Sequence, residues 1–247
     1  MKLASTIFSA ILLAGVAGAT SVVFSGSSGT RAAQAVFDVS GTNLIITLTN
    51  TSSYDVLQPN QILAALFFDI SGNPSLTRIS AMLASGSTVW FGPSNGGNVG
   101  GEWAYRGNLH GAPGGADYGI SSAGFGLFGP SDRFPGPNLQ GPNSPDGIQY
   151  GLTSAGDNLH TGNSAVTGRN ALIHNAVVFT LGLPSGGGTY EIGNVWAQYG
   201  TCLNEPALPL TRQGPGPVIP EPASWLLLAS GLPMLAALRK RILGREA

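Results

Sequence analysis

The stretch that decides the fold is ILAALFFDI at residues 62–70, which the turn-forming tetrapeptide Ser71-Gly72-Asn73-Pro74 closes. A continuous apolar run of this length, bounded by turn residues, is typical of a buried strand. Just before it, NLIITLTN at residues 43–50 is rich in Ile, Leu and Thr and ends in a second turn, Asn50-Thr51-Ser52-Ser53. These two stretches predict two strands of a β protein.

Further β-prone runs flank this pair on both sides. Two of them, at residues 176–183 and 190–199, are separated by the Gly-rich turn at residues 184–188 and predict a hairpin. With about eight such runs, we expect an all-β fold whose body is an antiparallel β-sandwich. The additional runs lie at residues 21–24, 35–40, 76–84, 88–91, 176–183 and 190–199.

The composition supports this class. The chain has 247 residues with 37 Gly and 17 Pro, and only 9% of its residues are charged while 43% are hydrophobic. Such a balance disfavours a disordered chain and also a helical enzyme. Gly, Pro and Asn are densest between residues 92 and 170, where we expect long ordered loops with short strands near 102–106 and 147–152. A disordered linker is the alternative for this segment.

The N-terminus has the features of a secretory signal peptide. Lys2 is followed by a short apolar helix-forming stretch and then by Ala17-Gly18-Ala19, the small-residue pattern that signal peptidase accepts. We therefore expect residues 1–19 to be a signal helix that is cleaved after Ala19.

The C-terminus has a different three-part order. Pro220-Glu221-Pro222 precedes an uncharged run at residues 225–238, and the basic residues Arg239, Lys240 and Arg241 follow. Fourteen residues make a helix of about 21 Å, a short transmembrane span with a basic stop on the cytoplasmic side. We expect an exported β-rich domain over residues 20–213, then a linker and this terminal signal over residues 214–247.

This ending, over residues 220–247, resembles the PEP-CTERM sorting signal of Gram-negative bacteria. The resemblance implies recognition and cleavage near Pro220, Glu221 and Pro222 by exosortase, a membrane transpeptidase, after export through the secretory translocon. It also implies a membrane-anchored precursor and a product at the cell surface or outside the cell, often beside exopolysaccharide. The run 62–70 and residues 195–201 also look like exosortase-dependent surface proteins of unassigned function. A plain C-terminal membrane anchor is the alternative.

The charge of the mature body excludes one class of partner. Between residues 20 and 219 there are six arginines, no lysine and ten acidic residues, a net charge of −4. Without a basic stripe we expect no nucleic-acid binding. Cys202 is the chain's one cysteine, so no disulfide can form within it.

The sequence contains no recognisable catalytic pattern. His110, His160 and His174 lack metal-site spacing, and no G-x-S-x-G elbow is present. We therefore expect that the chain is not an enzyme and that it has no cofactor and no zinc or copper site. The paired carboxylates of a hydrolase would escape this search, because their pairing is spatial. Calcium stays an open alternative, since three Gly-rich stretches carry oxygen ligands around Asp132, Asp146 and Asp157.

Aromatic residues are candidates for binding a sugar ring. Trp103 and Tyr105 lie two apart in a Gly-rich stretch, so on a strand they share a face on which a sugar ring could stack. We expect an exported surface or matrix protein of structural or adhesive type, with binding of exopolysaccharide through these two residues as the alternative and a secreted hydrolase behind it. The other aromatic candidates are Trp90, Tyr118, Trp196 and Tyr199.

Overall fold

The structure is a computed structural model that describes residues 21–130, 134, 137–141, 145–168, 170–185 and 189–214. These residues are mostly β, so the all-β prediction is confirmed. They include one short helix, α1 at Ser164–Thr167, and single 3-10 turns at Pro59–Gln61, Asn95–Gly97 and Pro113–Gly115. The strands are β1 Val22–Ser28, β2 Arg31–Ser40, β3 Asn43–Asn50, β4 Leu63–Ile70, β5 Thr77–Leu83, β6 Thr88–Trp90, β7 Ala104–Arg106, β8 Tyr118–Ser121, β9 Leu152–Thr153, β10 Leu172–His174, β11 Ala176–Gly182, β12 Ile192–Tyr199 and β13 Ala207–Arg212.

The thirteen described strands form one hydrogen-bonded sheet, and eleven of them follow one continuous path. The order of the path is β5-β11-β3-β2-β1-β13-β12-β4-β9-β10-β6. Outside this path, β8 pairs with β4, and β7 pairs with β8. The described pairs are antiparallel except β9 with β10. The middle strand of the path is β13. Its residues 207–210 pair with β12, and its residues 211–212 pair with β1. This strand therefore joins the two halves of the sheet.

The two halves pack on a shared core. Along β3 every second residue is buried, which places Leu44, Ile46 and Leu48 inside. Phe37 of β2 meets Phe68 of β4 edge to face with ring centroids 5.3 Å apart. The two halves are therefore held together through aromatic and aliphatic contacts.

β4 is buried on both faces, which explains its unbroken apolar sequence. Leu66, Phe68 and Ile70 belong to the main core, whereas Ala65 and Phe67 belong to a second apolar cluster. That second cluster is completed by residues from the Gly-rich segment 92–170, namely Leu109, Ala112, Phe125, Phe128 and Phe134. The described part of this segment is therefore packed onto the sheet and not a disordered linker.

The predicted hairpin of residues 176–183 and 190–199 is wrong. β11 is hydrogen-bonded to β3 on one edge and to β5 on the other, so it has no free edge for β12. β12 instead lies between β4 and β13. Local turn composition was a poor guide here because long-range partners occupy both edges of each strand.

Several predictions concern residues outside the described ranges. They are the signal helix with Ala17 and Ala19, the Pro220-Glu221-Pro222 motif, the span 225–238 and the basic stop at Arg239, Lys240 and Arg241. Among the described residues, no helix has the length and apolar character needed to cross a membrane. The contacts of the chain divide it into one unit ending at Arg212 and a second beginning at Gln213.

Candidate functional site

Trp103 lies in the main core and not on a binding face. Its side chain has no exposed surface, and its ring centroid is 4.9 Å from that of Phe179. Trp103 and Tyr105 belong to the same core cluster, as their two-residue spacing predicts, but that face points inward. Trp103 therefore offers no surface to a sugar ring, which corrects its assignment as a ligand-binding residue.

Tyr105 is largely buried but lines a small surface pocket of about 180 Å³, here called the Tyr105 pocket. Gly107 and Asn108 line this pocket and also a larger one of about 400 Å³, here called the Arg106 pocket. The larger volume is within the range of small-ligand sites. The remaining residues lining the Tyr105 pocket are Asn73, Pro74, Ser75, Leu76 and Tyr118, and those of the Arg106 pocket are Arg106, Leu109, His110, Gly126 and Leu127.

Strand pairing and loop hydrogen bonds position these pockets. β7 pairs with β8, which places Tyr105 opposite Ile120 and Arg106 opposite Gly119. The loop that follows is closed by a hydrogen bond from Leu109 N to Asp117 O at 2.9 Å, and Asp117 N donates to Asp69 Oδ1 at 2.7 Å. The loop between β7 and β8, which lines both pockets through Gly107 and Asn108, is therefore anchored to β4.

The two tyrosines of the Tyr105 pocket stay protonated at neutral pH. Burial, together with the negative charges of Asp117 and Asp69, raises the pKa of Tyr118 to about 12. Burial and the neighbouring Tyr118 also raise the pKa of Tyr105. Tyr118 Oη donates a hydrogen bond to Pro74 O at 2.8 Å, so this phenol braces the pocket wall.

The Arg106 pocket is polar and can carry positive charge. Arg106, Asn108 and His110 are all exposed, and Arg106 Nη1 donates a 2.7 Å hydrogen bond to Leu127 O across the pocket. Guanidinium, amide and imidazole groups together can bind hydroxyl groups or a carboxylate. This arrangement suits a polar or acidic ligand.

A second polar region joins two loops at residues 54–57 and 153–161. Asp157 Oδ1 accepts a hydrogen bond from Val56 N at 2.8 Å. Asp55 Oδ1 accepts one from Asn158 N at 3.1 Å, and Thr161 Oγ1 donates to Asp55 Oδ2 at 3.4 Å. We call this reciprocal arrangement the Asp55–Asp157 clasp.

Beneath the clasp lies a group of buried polar atoms without hydrogen-bond partners. They are Thr153 Oγ1, Ser154 Oγ, Asp157 Oδ2 and His174 Nε2. Burial raises the pKa of Asp157, and the charge of Asp55 adds to this rise. The Val56 amide, the Thr153 hydroxyl and His174 act in the opposite direction and favour the carboxylate.

Trp90 lies at the edge of this polar group. Its ring centroid is 5.5 Å from that of His160 and 6.1 Å from that of His174. The next residue, Phe91, is 41% exposed and has a φ of 60°, an unusual conformation for a bulky side chain. The structure thus places Trp90 nearer the surface than Trp103.

The other predicted groups are dispersed. Cys202 is exposed, and Glu205 Oε2 accepts hydrogen bonds from the amides of Thr201 and Cys202. Of the calcium candidates, Asp146 contacts Gln149 and Asp132 is outside the described ranges. In the part of the chain that the structure describes, no three His, Cys, Asp or Glu side chains are grouped to hold a metal ion.

Sequence reasoning identified Tyr105 but missed Arg106, Asn108 and His110 as lining residues of one pocket. Arg106 ends β7, and Asn108 and His110 lie in the loop that follows, so only the fold brings them together with Gly126 and Leu127 in one pocket. Comparison of the chain with protein-family models, curated proteins and solved structures finds no match.

Proposed function

We propose that this chain is an exported cell-surface or extracellular-matrix protein of structural or adhesive type, with a β-sandwich-like body, that exosortase sorts and processes. The observation that carries the proposal is the order at the C-terminus: Pro220-Glu221-Pro222, the apolar run 225–238, and the basic residues 239–241. The signal-like N-terminus with Ala17 and Ala19 is consistent with export.

The body has properties that suit this role. Its core depends on no disulfide, since Cys202 is the chain's one cysteine. With six arginines, no lysine and ten acids between residues 20 and 219, the body is mildly acidic and unsuited to nucleic acid. The partners we propose are the secretory translocon, exosortase and the membrane of the precursor.

Mass spectrometry of the C-terminal peptide from the native host tests the proposal. We expect a chain that ends near Pro220–Pro222 when exosortase is present, and an intact Arg239–Ala247 tail when it is deleted. Pro220→Ala should block processing, whereas Pro217→Ala, a proline outside the motif, should not. An intact tail in both strains would leave a plain membrane anchor and overturn the proposal.

Binding of an exopolysaccharide is the second candidate function. The observation that favours it is the Arg106 pocket, whose volume of about 400 Å³ and polar lining suit one or two sugar units. Arg106 and His110 would bind hydroxyl or carboxylate groups, with Tyr105 in the adjoining pocket. This assignment replaces Trp103 with residues that reach solvent.

Titration calorimetry with oligosaccharides from the host's exopolysaccharide tests this second candidate. Arg106→Ala should lower the affinity about tenfold or more, because a charge-assisted contact is lost. Arg78→Ala is the matched control, since Arg78 is also exposed and also donates to a backbone carbonyl, Asn138 O, at 3.0 Å. Equal affinities for the two variants would contradict the assignment.

A secreted hydrolase is supported less well. Thr153, Ser154, His174 and Asp157 bring hydroxyl, imidazole and carboxylate groups together, but Ser154 is only 1% exposed. A substrate carbonyl could not reach this hydroxyl without opening the loops. We therefore expect no turnover of polysaccharide or ester by the purified protein.

A further inference from the structure

We propose that the loops at residues 54–57 and 153–161 hold a calcium ion, ligated by Asp157 Oδ2 together with the hydroxyl oxygens of Thr153 and Ser154. The site goes beyond the proposed surface function and does not depend on it. It lies beneath the Asp55–Asp157 clasp, away from the residues that line the Arg106 pocket.

The first support is the concentration of unpartnered polar atoms. Within the described residues, eight buried side-chain nitrogen or oxygen atoms lack a hydrogen-bond partner, and four of them belong to Thr153, Ser154, Asp157 and His174. Buried polar atoms are nearly always satisfied in folded proteins, so such a group indicates a bound species. Thr153, Ser154 and Asp157 are each at least nine-tenths buried.

The second support is that these atoms share one small region. His174 lies directly opposite Thr153 in the parallel β9–β10 pair. Asp157 N donates to Ser154 O at 3.2 Å, which closes the turn and brings the carboxyl group back towards the strand end.

The chemistry of the donor set selects the ion. Three of the four unpartnered atoms are oxygens and one of these belongs to a carboxylate, which are ligands that calcium accepts in an irregular shell. Zinc would require three or four His, Cys or acidic ligands, and no such group occurs among the described residues. Magnesium demands a near-ideal octahedron, which a single irregular turn does not provide.

The experiment uses protein purified from the host and stripped of metal with EDTA, with CaCl2 and MgCl2 as separate probes. At calcium a hundred times its Kd, we expect the melting temperature to rise by about 5–10 °C. Calorimetry should give one ion per chain, and MgCl2 should have a much smaller effect. No calcium shift would mean buried water only and would overturn the proposal, as would an equal shift with MgCl2.

Two variants locate the ion. Asp157→Asn keeps an acceptor for Val56 N but removes the charge, and it should abolish the calcium shift. Asp38→Asn is the matched control, because Asp38 Oδ1 on β2 is also buried and unpartnered, and it should retain the shift. A shift retained in Asp157→Asn would overturn the site; if that variant fails to fold, Thr153→Val, which should weaken calcium binding at least tenfold, takes its place.

Discussion

Asp55 and Asp157 each hold the loop that carries the other: Asp157 accepts the amide of Val56 at 2.8 Å, and Asp55 accepts the amide of Asn158 at 3.1 Å. The two hydrogen bonds connect residues about a hundred positions apart. Val56 is buried whereas Asn158 is exposed, so the two halves of the clasp have different energetic weights.

The first prediction follows from this difference. Asp157→Ala leaves the buried Val56 amide without a partner and should destabilise the protein by about 1–3 kcal/mol. Asp55→Ala removes hydrogen bonds that water can replace, and it should cost less than about 1 kcal/mol. Urea unfolding at pH 7 in EDTA measures both, and a larger cost for Asp55→Ala would contradict the structure.

The second prediction concerns the pH dependence of stability in the absence of divalent cations. Because burial raises the pKa of Asp157 in the folded state, the folded protein binds its proton at a pH where the unfolded chain does not. The stability of the wild type relative to Asp157→Asn should therefore increase as the pH falls from above the raised value towards 3.8. A constant difference between pH 7 and pH 4 would show that the pKa is not raised.

The third prediction concerns alkaline pH. The pKa of Tyr118 is about 12 in the folded protein against 10.0 ordinarily, so its folded state holds the proton more tightly. The resulting stability is fully present below pH 10 and is lost as the pH rises towards 12. Denaturation at pH 9–12 should show this loss in the wild type and a weaker one in Tyr118→Phe, with the absorbance of the phenolate as an independent measure.

The fourth prediction uses two adjacent glycines that both have positive φ. A Cβ at Gly114 would collide with the indole nitrogen of Trp196, whereas a Cβ at Gly115 would meet nothing within 4 Å. Gly115→Ala should cost about 1 kcal/mol, from backbone strain alone. Gly114→Ala should cost at least about 1–3 kcal/mol more, because Trp196 and its hydrogen bond to Asn194 must move. Equal losses in thermal stability would rule out the close packing.

The fifth prediction tests the position of Trp103. Trp103→Ala should destabilise the protein by about 3–5 kcal/mol, as expected for truncation of a core aromatic residue. Trp90→Ala, at a half-buried ring, should cost clearly less. If Trp103→Ala were well folded and changed only ligand binding, the core assignment would have to be abandoned.

Much of the strand content could be predicted from the sequence, because burial repeats along the chain with the period of a strand. β3 occupies the predicted residues 43–50, and β4 lies inside the predicted run 62–70. β8 was missed because its four residues are interrupted by Gly119, and its burial against β4 depends on a contact some fifty residues away.

The candidate sites were less predictable because they too depend on contacts between residues that are far apart in the sequence. The Asp55–Asp157 clasp joins two loops whose local sequences are ordinary turn formers. Trp103 was misjudged because a Gly-rich neighbourhood suggested an exposed loop, whereas its indole packs against Phe179 in the main core. Only the long-range pairing of strands distinguishes these cases.

The position of β13 has a consequence for the order in which the fold can be completed. This strand pairs with β1 through its last two residues and with β12 through the preceding four, so it joins the earliest strand to one of the latest. Until residue 212 has left the ribosome or translocation channel, β1 and β12 both present unpaired backbone groups. Completion of the sheet is therefore a late event, and a nascent chain stalled before this strand would be a target for proteases and for pairing with other chains.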